Sequence, residues 1–209
     1  MRCGFGRAWV TAAALFASVE AAQAHIVASR LGDFYTGALH PLTDLQDLIL
    51  WAAMGVLAGS LGSSRGRWLV LLFPLGLLAG LVLNRAFGIV SAGPAADAGI
   101  ILVLGLLLAA EARIPTALLC SIAFGLAVMR GAANAGDVAP ETNQLLYAAG
   151  LACAGYAAIT LTMALTLAFR RAEAGTSTAW RGIAIRAVGG WIAAIGIMMV
   201  GLALASWAG

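Results

Sequence analysis

The chain has 209 residues, of which 62% are hydrophobic and only 10% are charged, and its net charge is +3. A soluble globular domain carries about 25% charged residues, so this composition excludes an ordinary soluble protein and indicates a polytopic membrane protein. The twelve basic residues are all arginine, and they are too dispersed for a nucleic-acid-binding surface.

The first 24 residues have the layout of a secretory signal peptide. Arg2 and Arg7 precede a short apolar stretch at 8–19, and Ala22-Gln23-Ala24 resembles a small-x-small cleavage site. A retained signal anchor is the alternative, although twelve apolar residues are short for a hydrocarbon core of about 30 Å. We therefore predict a signal peptide at 1–24 and a transmembrane domain at 25–209.

Six apolar stretches follow this segment, and each is expected to form a transmembrane helix because lipid cannot satisfy an open backbone. They lie at 42–61, 68–83, 95–110, 114–128, 145–169 and 183–207. The sequence thus predicts an all-α fold, a polytopic membrane helical bundle of six transmembrane helices.

Loop charges predict the orientation of this bundle. If the N-terminus is exported, seven arginines fall in cytoplasmic loops and three fall outside, as the positive-inside rule requires. The cytoplasmic set is Arg65, Arg67, Arg113, Arg170, Arg171, Arg181 and Arg186, and the outer set is Arg30, Arg85 and Arg130. We expect a bacterial inner-membrane protein whose mature N-terminus is periplasmic.

Small residues and tryptophans add detail to the predicted helices. Gly55 and Gly59 are four residues apart in the first stretch, and Gly76 and Gly80 repeat that spacing in the second. Such pairs let two backbones approach closely within a membrane. Tryptophans near the predicted ends are expected at the membrane interface; these are Trp51, Trp68, Trp180 and Trp207.

A histidine and two carboxylates mark the start of the first apolar stretch. His40, Asp44 and Asp47 follow at i, i+4 and i+7, and a helix beginning after Pro41 would place both acids on one face. Imidazole and carboxylate groups together suit nickel, cobalt, zinc or manganese. Acids in a first helical turn also stabilise the helix through its dipole, so a capping role and a cation-binding role both remain open.

Two further residues bear on this candidate metal site. His25 would offer an amine and an imidazole to a metal ion, but only if cleavage occurs directly before it. Arg130 lies in a polar segment after the fourth predicted helix. It is expected either to pair with an acid of the first helix or to serve as an interfacial anchor.

Signatures of a soluble-type enzyme do not occur in the chain. The sequence has no GxSxG, Walker loop, HExxH, dinucleotide fingerprint or CxxCH motif. We therefore expect a protein that is not an enzyme and has no resident cofactor.

The chain resembles the HupE/UreJ family of small membrane proteins. The resemblance rests on a signal ending in Ala-His, on Gly32-x-Phe34-x-x-Gly37-x-x-His40-Pro41, and on an apolar helix that carries Met54-Gly55. Six helices and a length near 200 residues also fit. The resemblance implies a nickel or cobalt permease associated with hydrogenase or urease clusters.

Several positions depart from the family pattern. The family's Gly-x-Asp-His is replaced by Asp44-Leu45-Gln46-Asp47, and a histidine-rich segment is replaced by residues 130–134, which begin with Arg130. The resemblance therefore implies that only His40 is retained from the metal-handling set, with Asp44 and Asp47 as substitutes. The alternative is a scaffold or accessory subunit that has lost the metal path and binds a membrane protein partner or a second copy.

Overall fold

Seven α-helices make up the part of the chain that a computed structural model describes, namely residues 32–88, 93–112, 114–136, 138–171 and 180–208. The helices are α1 (Asp33–Thr43), α2 (Leu45–Ser60), α3 (Ser63–Phe87), α4 (Pro94–Ala109), α5 (Thr116–Gly136), α6 (Gln144–Arg171) and α7 (Trp180–Ala208). These ranges contain no strand, as the all-α prediction requires. The predicted signal peptide and His25 lie outside the described residues.

Four helices are long and apolar enough to cross a membrane: α3, α5, α6 and α7. A fifth span results if α1 and α2, which meet at an angle of 83°, are counted together. Helix α4 is apolar but has only 16 residues, a length of roughly 24 Å at 1.5 Å per residue. Only 17–39% of the residues in the four long spans are buried. Their exposed faces are therefore apolar, as contact with lipid requires.

The predicted start of the first helix was wrong. Helix α1 already includes His40 and Pro41, and the chain breaks at Asp44, whose backbone is extended at φ −95° and ψ 114°. The Asp44 carboxylate accepts a hydrogen bond from the backbone N–H of Gln46 at 2.8 Å. Asp44 therefore caps α2, because a side-chain oxygen at this position satisfies an N–H group that the helix cannot.

The fourth predicted helix was too short. Helix α5 continues to Gly136, so Arg130 and Asn134 lie inside the helix and not in a loop. Both are almost completely buried, with 4% and 1% of their surface exposed. Gly131 allows α5 to approach α3 closely beside these two residues. A Cβ at Gly131 would lie only 2.9 Å from the Cα of Leu77 on α3, so a larger residue would hold the helices apart.

Glycine contacts confirm the predicted close packing of helices. A Cβ added at Gly59 of α2 would lie 2.5 Å from the Cβ of Thr166 on α6, and one added at Gly76 of α3 would lie 2.6 Å from the Cβ of Ala127 on α5. Since neither position has room for a side chain, the helix pairs α2–α6 and α3–α5 approach at the distance that small residues allow.

Trp51 lies in the core of the bundle. It is 2% exposed, and its ring meets Phe73 edge-on at 6.2 Å between centroids. Trp51 is central because α2 crosses the middle of the bundle, where Met54 and Leu77 are also buried. Hydropathy alone does not distinguish an indole in the core from one at a helix end.

The helices alternate in direction, so charged residues collect at two opposite ends. The carboxylate end consists of the starts of α2 and α4 and the end of α5, with Asp44, Asp47, Asp97 and Arg130. The arginine end consists of the ends of α2, α4 and α6 and the starts of α3 and α7. It carries Arg65, Arg170 and Arg186.

Candidate functional site

The guanidinium of Arg130 lies at the centre of the carboxylate end. Its Nε donates to Oδ1 of Asp47 at 2.8 Å, and its Nη2 donates to Oδ2 of Asp44 at 2.9 Å. Its Nη1 donates to Oε1 of Gln46 at 3.3 Å and lies 3.9 Å from Oδ2 of Asp97. One side chain of α5 therefore joins two acids of α2 and one acid of α4.

Exposure decreases stepwise among the three acids. The Asp44 side chain is 36% exposed, that of Asp97 is 13% exposed, and that of Asp47 is fully buried. Asp44 is therefore reached from outside, whereas Asp47 is enclosed by protein. The three acids thus lie at different depths below the protein surface.

Two acids of the cluster share one guanidinium. Asp44 and Asp47 pair with Arg130 at 2.9 and 2.8 Å, so among these three side chains the negative charges exceed the positive charge by one when both acids are ionised. Uncompensated charge is expensive in a low-dielectric environment. The cluster is therefore suited to take up additional positive charge.

Three polar groups are buried beneath the ion pairs. The Asn134 side chain faces the Asp47 carboxylate, and Nε1 of Trp51 has no hydrogen-bond partner among the described residues. Trp51 follows Asp47 by four residues and so shares its face of α2. These three groups make the interior of the cluster unusually polar for a membrane bundle.

His40 has a different immediate environment. It lies in α1, before the break at Asp44, and its ring is 6.3 Å from that of Tyr147 on α6. Helix α1 rests on the start of α6, since a Cβ at Gly150 would lie 2.9 Å from the backbone N of Ala38. The structure thus brings Asp44 and Asp47 together around Arg130, while His40 packs against Tyr147.

The metal-ligand prediction for His40, Asp44, Asp47 and His25 stays a prediction. Within the described ranges, no group of three or more His, Cys, Asp or Glu side chains has an arrangement that would hold a metal ion. The sequence-based expectation that Arg130 pairs with an acid of the first predicted helix is confirmed.

Sequence reasoning missed Asp97 and Gln46 as members of the cluster. Asp97 lies in the first turn of α4, three residues after Pro94, where an acid is ordinarily explained by the helix dipole. Gln46 adjoins the capping residue Asp44. Their alternative roles are visible only once α2, α4 and α5 are placed side by side.

A comparison with protein families gives one match over most of the chain. The family described as HupE / UreJ protein matches residues 13–204. Comparisons with curated proteins and with solved structures gave no match.

Proposed function

Because the chain belongs to the HupE/UreJ protein family, we propose that it is a membrane permease for a divalent metal cation, which enters through the carboxylate cluster. The observation that carries the proposal is that Asp44 and Asp47 share the one guanidinium of Arg130. These two acids therefore keep a net negative charge that attracts a cation. Asp44, the most exposed acid, is the entry point, and Asp47 is the innermost ligand.

A purely structural role explains the cluster less well. Replacing a buried ion pair by well-packed hydrophobic residues is often neutral or stabilising, so packing alone gives little reason to keep four charged groups among apolar helices. Ionisable groups within membrane spans usually mark an ion or substrate pathway. The fully buried Asp47 has the properties of a pathway residue.

Arg130 acts in this proposal as a resident cation. Its guanidinium occupies the acids while no ion is bound, and an arriving divalent cation competes with it for Asp44 and Asp47. In this exchange the guanidinium gives up its hydrogen bonds to both acids. Arg130 would thus prevent a monovalent cation from binding to these acids.

The donor atoms bear on the choice of metal. Oxygen atoms of Asp44, Asp47, Asp97 and Gln46 surround the guanidinium, and oxygen ligands suit manganese or magnesium better than nitrogen and sulfur ligands do. The family resemblance implies nickel or cobalt, with His40 as an imidazole donor before the cluster. The first assay therefore covers Ni²⁺, Co²⁺, Zn²⁺ and Mn²⁺.

The membrane arrangement belongs to the same proposal. We place six spans in a bacterial inner membrane, with the bent α1–α2 pair and the short α4 as two of them. The carboxylate end faces the periplasm, because the arginine end then faces the cytoplasm, as the positive-inside rule favours. A cation would reach Asp44 from the periplasm.

Metal accumulation in cells tests the permease. Cells that express the chain should accumulate more of at least one of the four metals than vector-only cells, and Asp47→Asn should abolish the gain. Glu141→Gln is the matched control, because it removes one negative charge from an exposed loop position near the start of α6. Equal accumulation with and without the chain, at confirmed membrane abundance, would overturn the proposal.

A scaffold or accessory subunit is the second candidate function. It is favoured by the complete engagement of Arg130, each of whose three guanidinium nitrogens donates to a side-chain oxygen. On this account the cluster only joins α2, α4 and α5. Purification in mild detergent should then yield a stoichiometric partner protein and no metal.

Arg130→Gln separates the two candidates directly. A permease should bind its divalent ion with Arg130 in place, and more tightly once this resident cation is removed, because Asp44 and Asp47 then lack their guanidinium. A scaffold should bind no metal to the unaltered chain. Isothermal titration of the purified chain with each metal measures the difference.

A further inference from the structure

A second polar cleft lies at the arginine end, opposite the carboxylate cluster. It has a volume of about 190 Å³ and is lined by residues from the ends of α2, α4 and α6 and the starts of α3 and α7. Its charged lining residues are Arg65, Arg170, Arg186 and Glu111. Three guanidinium groups against one carboxylate give the cleft a formal charge of +2.

Two of the three arginines are fixed in place by backbone and hydroxyl oxygens. Arg65 donates through Nε to Oγ1 of Thr116 at 2.9 Å and through Nη2 to the carbonyl oxygen of Ile114. Arg170 donates through Nη1 to the carbonyl oxygen of Ser60. Neither has a carboxylate within 4 Å among the described residues, so both keep an uncompensated positive charge and further N–H donors.

Arg186, the third arginine of the cleft, forms a weak ion pair. Its Nη1 is 3.7 Å from Oε2 of Glu111, and both side chains are exposed, at 48% and 61%. Such a surface pair contributes little binding energy, so Arg186 can exchange Glu111 for another anion. Arginines from three helices, α3, α6 and α7, therefore line one small cleft.

The position of the cleft identifies the anion. It opens where the apolar spans end: α6 ends at Arg171 and α7 begins at Trp180. The Trp180 ring meets Phe169 at 5.6 Å, an aromatic pair of the kind that lies at the level of lipid headgroups. Basic clefts between helix ends at this depth are suited to the headgroups of anionic lipids.

We propose that this cleft binds the phosphate of an anionic phospholipid. Arg65 and Arg170 hold the phosphate oxygens by charge-assisted hydrogen bonds, and Arg186 covers it from α7. The acyl chains continue along the exposed apolar face of α7, which carries Ile183, Val188 and Trp191. This site is independent of the metal proposal, since it shares no residue with the carboxylate cluster.

Native mass spectrometry of the full chain tests the lipid site. The probes are phosphatidylglycerol and phosphatidylcholine with identical acyl chains, and we expect selective retention of phosphatidylglycerol. Arg170→Gln should lower that retention about fivefold, the factor that one basic residue contributes near an anionic lipid surface. Arg67→Gln is the matched control, because Arg67 stacks on Trp68 at 5.3 Å and does not line the cleft.

Two substitutions at the exposed pair keep the test decisive if Arg170→Gln fails to fold. Neither Arg186→Gln nor Glu111→Gln removes a hydrogen bond that holds a helix end. Arg186→Gln should weaken phosphatidylglycerol retention, and Glu111→Gln should strengthen it, since the cleft then loses its one negative charge. Equal loss with Arg67→Gln, or equal retention of both lipids by the unaltered chain, would overturn the proposal.

A soluble anion is distinguished from a lipid by a separate measurement. Inorganic phosphate alone should raise the unfolding temperature of the detergent-solubilised chain less than phosphatidylglycerol does. If phosphate alone protects equally well and displaces the lipid, the cleft is a site for a free anion, and the lipid assignment is wrong.

Discussion

Removal of the Arg130 guanidinium should strongly destabilise the fold, and Arg130→Met is the simplest change that achieves it. In the native chain this side chain is 5% exposed and compensates the fully buried Asp47. Breaking a buried ion pair from one side costs about 3–5 kcal/mol because the remaining charge is left buried and uncompensated. We therefore expect Arg130→Met to lower the free energy of unfolding by that amount.

Removal of the Asp47 carboxylate should lower the free energy of unfolding by less than removal of the guanidinium. Asp47→Leu removes one charge-assisted hydrogen bond, worth about 1.5–3 kcal/mol, but Arg130 keeps Asp44 at 2.9 Å and Asp97 at 3.9 Å. The double variant leaves no fully buried charge uncompensated, since Asp44 and Asp97 are partly exposed. It should be no less stable than Arg130→Met alone.

Titration with a denaturing detergent, followed by circular dichroism, measures these free energies in the purified chain. Glu141→Gln is the control and should change stability by less than about 0.5 kcal/mol, as surface substitutions do. If the two single effects add up to the effect of the double variant within about 0.5 kcal/mol, Arg130 and Asp47 are not coupled. The account of the carboxylate cluster would then be wrong.

Three further predictions are tested by the same unfolding measurement. Gly80→Ala should lower the free energy of unfolding by more than about 1 kcal/mol, because its Cβ would lie 2.7 Å from a backbone nitrogen of α5. Gly125→Ala has open space at its Cβ and should be neutral or stabilising. Equal effects of the two substitutions would contradict the α3–α5 contact. Trp51→Phe should be tolerated, since the indole N–H has no partner among the described residues, while Trp51→Ala should cost about 3–5 kcal/mol; a large loss with phenylalanine would show that the N–H is engaged. Asn143→Ala should cost about 1 kcal/mol, because its side-chain oxygen accepts from the first N–H groups of α6 at 3.1 and 3.3 Å; an unchanged midpoint would refute this capping role.

Helix ends at the carboxylate end could be predicted only in part. Pro41 is usually read as a first helical residue, yet it lies within α1, and the break comes at Asp44. Residues 130–134 read as a polar loop, yet they continue α5. Both differences arise because polar side chains in these segments find partners on neighbouring helices, which removes the need for a solvated loop.

Membrane character, the approximate positions of the apolar helices and their close packing were determined by the sequence itself, because hydropathy and small-residue spacing act along a single helix. The residues of the candidate site were also visible, since His40, Asp44 and Asp47 stand out in an apolar chain. The partner of Asp47 is 83 residues away in the chain, and only the tertiary structure decided it. Which side chains meet depends on the rotation of each helix about its axis and on its neighbours, and no spacing within one segment records either.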